Sequence, residues 1–596
     1  MGQKKKSRAR DKDPSGSPDA PTSKPASAAP NSAQAAQQGV PEHTDFYLRV
    51  EGLNIGAVIE DTDQLSVARG ASFLLREAIT DVESRKPHNG IPLLPPNARV
   101  VSTGASIGEF LLPDTDQLQA QEIAAHIVDY LSTPTRRYRN LSFGVCAEGY
   151  SPAAGELAVR ERALARIRFA QLRSPTYVPP PLNTDPDVGP CGWDGRRPAD
   201  ARRPIAREGE DEIRVSTSVR ERWSHGVTRK QGFYRDEAGL TTDHPAYPFR
   251  YSRDLGDLAR DRRAGNLNGK VAVIYADGNR FSSIREETCK RFKSLEKFDR
   301  AIKDRRRVYL NDLLRFMATD ERFFLASGNG VGRLRLETLL WGGDELLLVV
   351  PAWCGFDVLQ HLFTSFAGWA HDDRSLTQAV GLVFCRAKTP IQRSMTLARQ
   401  LADRIKARLQ AEARGKNEQE RLDSQLKNRF DYMVLESVDF PVEDDLGDYF
   451  EGRYSAAAKL RQDLAPAGDW PRTRPLLEAL LGRFPKGQSY AVARAAVATD
   501  WSEQAREPTA ADAEIAYSAA LTRMKEVTQD PDASDLEATL TRLFGTAGTV
   551  KIGGSAITNP WTWIHLAELW DYLTPSFDRA SIEAADPAAA DPGAQP

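Results

Sequence analysis

The sequence is poor in the features that mark several protein classes. Its 596 residues include only five cysteines, at positions 146, 191, 289, 354 and 385. No two have the spacing of an intact metal knuckle. An odd, scattered set does not make the disulfide framework of a secreted domain. A reducing cytoplasm is therefore the expected compartment. No apolar run reaches the roughly 18–20 residues of a membrane span, and the N-terminus has no apolar signal core. No membrane partner is expected. An excess of either sign of charge is absent as well. Lys+Arg number 80 and Asp+Glu 82, a net charge of −2, so any surface that meets nucleic acid has to be local. A short-period repeat is also absent, which excludes a solenoid.

What is present has the length of several domains. Residues 1–44 are rich in Pro, Ala, Ser and Gln behind a basic start, "MGQKKKSRARDK", and read as a disordered tail or a weak RNA-tethering arm. Over 45–176 the pattern alternates strand, helix, strand, strand, helix, strand, the ferredoxin-like order. Residues 177–264 are rich in Pro, Asp and Arg and read as an irregular linker or insert. The same β-α-β-β-α-β order recurs over 265–450. It starts at "GKVAVIYADGNRF" and continues through the hairpin "LRLETLLWGGDELLLVVPAW". Residues 451–576 read as a helical C-terminal domain and 577–596 as a frayed tail. The expected class is α+β, with two ferredoxin-like palm domains and a helical C-terminal domain.

Within the second copy, topology brings acids together. In this fold the first and second strands run toward the same sheet edge. The end of the first strand, Asp277, then meets the central hairpin turn, Gly342-Gly343-Asp344-Glu345. Three close carboxylates repel one another, and a divalent cation removes that cost. Oxygen ligands on a turn suit two Mg²⁺ or Mn²⁺ ions that also take substrate phosphates. Gly342 and Gly343 let backbone approach a nucleotide, with positive φ available, and Gly278 offers a carbonyl beside Asp277. Gly-Gly-Asp is equally good hairpin chemistry without any ligand. Lys406, on the helix after the fourth strand, is either a phosphate contact or a solvated lysine.

The set "YADGNRF", "WGGDELLLVVP" and "VGLVFCRAKTPIQRSMTLARQLADRIK" resembles the catalytic palm of the large polymerase-like subunit of type III CRISPR effector complexes, a relative of GGDEF diguanylate cyclases. "GLNIGAVIED" and "RGASFLL" resemble that subunit's first, non-catalytic palm. The resemblance covers about residues 46–450. It implies conversion of ATP into cyclic oligoadenylates when target RNA is bound, within a multi-subunit ribonucleoprotein that holds guide RNA. It also implies that Asp277, Asp344 and Glu345 are catalytic and bind metal. Gly342, Gly343, Gly278, Asn279 and Lys406 are then the nucleotide-binding positions.

The sequence departs from that family in several places. The usual turn is GGDD and here the last residue is Glu345, as in diguanylate cyclases, which leaves adenylate or guanylate product open. His371-Asp372 is the one His-Asp pair and has no partner histidines, so no HD nuclease is expected. "CGWDGRRPA" (Cys191–Ala199) looks like a zinc knuckle with Asp194 in place of the second cysteine, so zinc is not expected. The turn of the first copy, "STGASIGEFLL", carries no paired acids, which marks that palm as structural. Two other readings stand beside the synthase: a structural subunit whose palm has lost activity, and a stand-alone antiviral cyclase. The stretch Arg202–Lys230 is either an RNA contact or a solvated loop.

Overall fold

The computed structural model describes residues 45–133, 135–150, 155–173, 189–200, 205, 212–327, 330–436, 441, 446–461, 486–498, 549–552, 555–559, 561–573 and five single positions between 515 and 526. Both terminal tails and "LLEALLGRF" of the C-terminal region lie outside these residues.

The first palm consists of β1 (Asp45–Leu53), α1 (Leu65–Glu83), β2 (Arg99–Thr103), β3 (Ile107–Leu112), α2 (Gln117–Ser132) and β4 (Ser142–Tyr150), followed by α3 (Glu156–Arg173). Its sheet order is β2-β3-β1-β4, with β1 antiparallel to both neighbours. Alternation along β1 divides its faces. Phe46, Leu48 and Val50 pack with Leu74, Ala78 and Ile127 of α1 and α2. Tyr47 points the other way and stacks on Phe292 of the second palm, ring centroids 5.5 Å apart. One face of the first palm is thus committed to its own helices and the other to its neighbour.

The residues read as an irregular insert hold a long helix. Thr217–Ala238 forms α4, 22 residues, with Ser216 accepting from the Val219 N–H at its start and Gly239 at φ 60° closing it. Its arginine-rich composition hid the apolar stripe that includes Val219, Phe233 and Ala238. Gly70 of α1 and Gly226 of α4 let the two helices cross backbone on backbone. A Cβ on Gly226 would collide with the Ser66 carbonyl oxygen and lie 2.9 Å from the Gly70 nitrogen. Gly226→Ala is expected to lower stability by about 3 kcal/mol, read as a fall in the midpoint of chemical denaturation.

The knuckle-like turn in this region is closed by hydrogen bonds. Asp194 accepts from the backbone N–H groups of Arg196 and Arg197, at 2.8 and 3.0 Å, and pairs with the Arg197 guanidinium. Cys191 is buried beside Val67, Val215 and Val219. Arg197 and Arg222 both reach Asp61 of the first palm, which fastens the insert to that domain.

The second palm consists of β5 (Lys270–Gly278), α5 (Phe292–Thr319), β6 (Glu337–Trp341), β7 (Leu346–Pro351), α6 (Gly355–Phe366), β8 (Gln378–Arg386), α7 (Ile391–Glu412) and β9 (Arg429–Val434). The sheet order is β6-β7-β5-β8-β9, and β9 adds to β8 in parallel. This fifth strand, "RFDYMV", extends the expected four-stranded unit. Val271, Val273 and Tyr275 of β5 face α7, whereas Ala272, Ile274 and Ala276 face the opposite core.

The described residues of the C-terminal region are helical, as expected, apart from one short hairpin. Thr549–Ile552 and Ser555–Thr558 form a β-hairpin. The helix α8 (Trp561–Leu573) packs Trp563, Leu566 and Tyr572 into the second palm's core, with Tyr572 4.2 Å from Phe384. Its apolar residues run almost all round, as in a helix buried between partners. Among the described residues no helix is long and apolar enough to cross a membrane.

Candidate active site

The register of the second sheet sets the site. Leu346 of β7 lies opposite Ala276 of β5. One step further along that ladder are Glu345 and Asp277, so the two carboxylates leave the sheet edge on one face. Tyr275, two residues earlier, shares that face. Its hydroxyl donates to Asp277 Oδ2 at 3.4 Å. Asp344 follows in the turn, half-buried. Glu337 at the start of β6 fixes the approach to this turn. It is buried, pairs with Arg69 of α1, and accepts from Lys230 of α4 at 2.6 Å. Burial pushes the Lys230 ammonium down to about 8 despite that carboxylate.

Helix α7 supplies the second wall. Arg399, Asp403 and Lys406 fall at i, i+4 and i+7 and form one stripe. Lys406 Nζ lies 2.5 Å from Asp277 Oδ2. Arg399 sits over the Tyr275 ring at 5.6 Å and pairs with Glu60 of the first palm at 2.7 Å. The helix can come this close because β8 carries Gly381 beneath it, where a Cβ would collide with the Ala398 carbonyl.

The first palm closes the cleft from the other side. Its β2–β3 turn, Gly104–Ser106, faces the acidic turn. A Cβ on Gly342 would lie 3.9 Å from that of Ala105. The space between is a cleft of about 720 Å³ lined by both turns, by Asp277 and Asp403, and by one face of α5. That is the size of a small-molecule site.

The electrostatics follow from crowding. Burial holds the Asp344 carboxyl above the usual carboxylate range, and the Asp277 charge adds to it. Glu345 is raised by burial, then by Asp277 and Asp344. Asp403 is raised by burial and by Asp277. The Tyr275 hydroxyl is pushed well up by burial and by Glu345. This edge therefore holds more negative charge than it can comfortably keep ionised.

A divalent cation fits this donor set in kind: hard oxygen donors whose repulsion it would relieve. No three His, Cys, Asp or Glu side chains among the described residues converge as a ready metal cage. Lys406 supplies the cationic partner of Asp277 instead.

The structure brings Asp277, Asp344, Glu345, Gly342, Gly343 and Lys406 to one sheet edge. Lys406 meets Asp277 directly, which the expectation of a phosphate contact did not include. Asn279 goes elsewhere. Its side chain is buried and donates to Thr377 Oγ1 and the Lys427 carbonyl, at 3.0 and 2.9 Å. Gly278 is buried against the Phe281 ring. Neither Gly342 nor Gly343 has positive φ. The Gly342 N–H donates to the Glu345 carbonyl at 2.9 Å, and a Cβ on Gly343 would meet nothing within 4 Å. What these glycines provide is open space above the turn. Tyr275, Arg399 and Asp403 were missed by sequence reading. The i, i+4, i+7 spacing on α7 was the available signal, and the helix's other charges masked it.

Residues 270–418 match the model of the Cas10/Cmr2 second palm domain, the segment that holds every residue of this edge. The match agrees with the resemblance read from the sequence. Among solved structures, the chain is similar to Csm1 of T. onnurineus, at 13% identity and a TM-score of 0.44 over 90% of this chain and 70% of that one. A Csm1–Csm4 cassette in complex with cA4 gives 14% identity and a TM-score of 0.42 over the same shares. A cassette in complex with one ATP gives 12% and 0.40, again over 90% and 70%. No curated protein matches the chain.

Proposed function

On the premise that residues 270–418 are similar to a Cas10/Cmr2 second palm, we propose that this chain is a metal-dependent nucleotidyltransferase. It joins ATP molecules into cyclic oligoadenylate inside a type III CRISPR ribonucleoprotein when target RNA is bound. The observation that carries this reading is the meeting of Asp277, Asp344 and Glu345 at one sheet edge, inside a cleft that the first palm closes.

In the reaction the 3′-oxygen of one nucleotide forms a bond to the α-phosphorus of another. The bond from that phosphorus to the pyrophosphate oxygen breaks, and the hydroxyl proton leaves. Asp277, Asp344 and Glu345 would hold Mg²⁺ or Mn²⁺, which supplies the positive charge that activates the hydroxyl and neutralises the leaving group. The chain's own contribution is placement. The two hairpin turns face each other across the cleft, so each presents open backbone to one of two nucleotides, held close enough to react. Lys406, once Asp277 turns to another cation, is free to meet a phosphate.

The turn gives a direct test. Gly343→Ala introduces a methyl into open space at an ordinary φ, so the melting temperature should not move. If the turn carries the nucleotide, the same methyl should raise the KM for ATP about tenfold, as a steric cost of roughly 1.4 kcal/mol. An unchanged KM would remove the turn from the binding surface.

The Lys406–Asp277 pair favours a second reading, a scaffold subunit whose palm keeps a lysine where a metal would act. The two separate on divalent cations. The synthase gains thermal stability on adding Mg²⁺ with ATP, whereas the scaffold does not.

A further inference from the structure

Among the described residues, three guanidiniums line the cleft, those of Arg76, Arg285 and Arg399. Each has a carboxylate partner, and the partners differ in how far they are exposed. Arg285 pairs with Glu109 at 2.7 Å, and that side chain has no exposed surface and also takes Arg49 and Arg160. Arg76 pairs with Glu237, which is 19% exposed and also accepts from the Trp341 N–H. Arg399 pairs with Glu60 of the first palm at 2.7 Å, and there the two side chains are 33% and 40% exposed. Glu60 lines the cleft as well. An ion pair this open to water contributes little. Arg399 is therefore the cleft cation that changes partner at least cost.

Arg399 is also placed at the reacting edge. Its guanidinium carbon lies 5.6 Å over the Tyr275 ring, and the hydroxyl of that ring donates to Asp277 Oδ2 at 3.4 Å. Burial raises Glu345 and Asp403, and the Arg399 charge acts on both in the opposite sense. On α7 it lies seven residues before Lys406, about two turns or roughly 10 Å of helix axis. Lys406 pairs with Asp277. The two cations of this stripe thus stand at the two ends of the carboxylate edge. A guanidinium donates to phosphate oxygens in the same planar fork that it offers a carboxylate.

We infer that Arg399 binds a phosphate of the nucleoside triphosphate, and that Glu60 of the first palm holds the place of that phosphate when the cleft is empty. The inference rests on the nucleotidyltransferase reading. It adds to that site a ligand contact and a competitor built into the chain. When substrate enters, Arg399 exchanges the Glu60 carboxylate for phosphate oxygens and keeps its seat over Tyr275. The exchange releases one tie between the first palm and α7. Gln392, which donates to the Thr62 carbonyl at 2.9 Å, keeps the two joined.

The test is calorimetric titration of the full chain with ATP, inorganic tripolyphosphate and adenosine, each with Mg²⁺. The proteins are wild type, Arg399→Gln, Arg399→Lys, Glu60→Gln and the double variant Arg399→Gln with Glu60→Gln. Arg399→Gln should weaken ATP and tripolyphosphate about tenfold and change adenosine less than about twofold. Arg399→Lys keeps the charge without the fork and should fall between. Glu60→Gln should strengthen ATP and tripolyphosphate about threefold, the size of the exposed pair it removes. In the double variant Glu60→Gln should add nothing. The opposite signs separate an exchange of partners from a structural tie, and a damaged fold does not raise affinity. Glu60→Gln that weakens ATP or leaves it unchanged, or wild-type affinity for tripolyphosphate in Arg399→Gln, would overturn the inference alone and leave the pair as a bridge between palms. A wild-type chain that binds neither ATP nor tripolyphosphate would overturn it together with the nucleotidyltransferase reading.

Discussion

Asp344→Asn is expected to reduce nucleotide polymerisation by about a thousandfold or more, a loss of roughly 4 kcal/mol of transition-state stabilisation, and at the same time to stabilise the protein. Both effects have one cause. Asp344 is held above the ordinary carboxylate range by burial and by Asp277, so the folded chain resists ionising it. A carboxyl raised in this way contributes its full stability below its unfolded pKa of about 4. That stability is lost as pH rises through the higher folded value. At neutral pH the wild-type protein carries this cost and Asp344→Asn does not. In metal-free buffer at pH 7.5 the variant should melt higher than wild type, and the gap should close as the pH is taken down to about 4. Scanning fluorimetry across pH reads one arm and product formation the other. A catalytic carboxylate kept against its own electrostatics is a recognised exchange of stability for function. A variant that melts lower at neutral pH would show Asp344 to be a structural turn residue.

Gly381→Ala is expected to have the second largest effect, and it acts from beneath the site. A Cβ at 381 would strike the Ala398 carbonyl of α7. That atom is main chain, so no rotamer change relieves the contact and the helix must lift. Helix α7 carries Arg399, Asp403 and Lys406. Lifting it would break the Lys406–Asp277 and Arg399–Glu60 pairs and open the core that Leu401, Ala402 and Ile405 share with Val273 and Tyr275. A loss of about 3 kcal/mol or more in denaturant unfolding is expected, with ATP affinity reduced in whatever fraction stays folded. Gly452→Ala is the control: it lies in the helix Leu446–Tyr454 and nothing is within 4 Å of the added methyl, so ATP affinity should not change and stability should rise by at most about 1 kcal/mol.

Much of this site was legible because topology does long-range work. Once "GKVAVIYAD" and "LLWGGDELLLVV" are recognised as the first strand and central hairpin of one ferredoxin-like unit, the sheet order alone carries Asp277 to Glu345. No side-chain detail is needed. What escaped the sequence depended on packing between separate segments. Thr217–Ala238 looked irregular because arginines interrupt its apolar stripe, and those arginines turned out to pair with Asp61 and Glu77 across domains. The strand "RFDYMV" was hidden because its parallel partner lies across the whole of α7. Asn279 stands two residues after a site carboxylate, but the chain turns there and sends its side chain to Thr377. Glu60 carried no signal because its partner, Arg399, lies 339 residues further on. Only the fold brings the two together.

If the proposed function holds, product forms at the acidic edge. The most direct measurement is to incubate the purified chain, alone and within its ribonucleoprotein with target RNA, with labelled ATP or GTP and Mg²⁺, and to resolve the products beside Asp344→Asn. The account predicts cyclic oligoadenylate from the wild-type, RNA-bound complex and none from the variant. Equal product from wild type and variant, or no product from an intact RNA-bound complex, would contradict it.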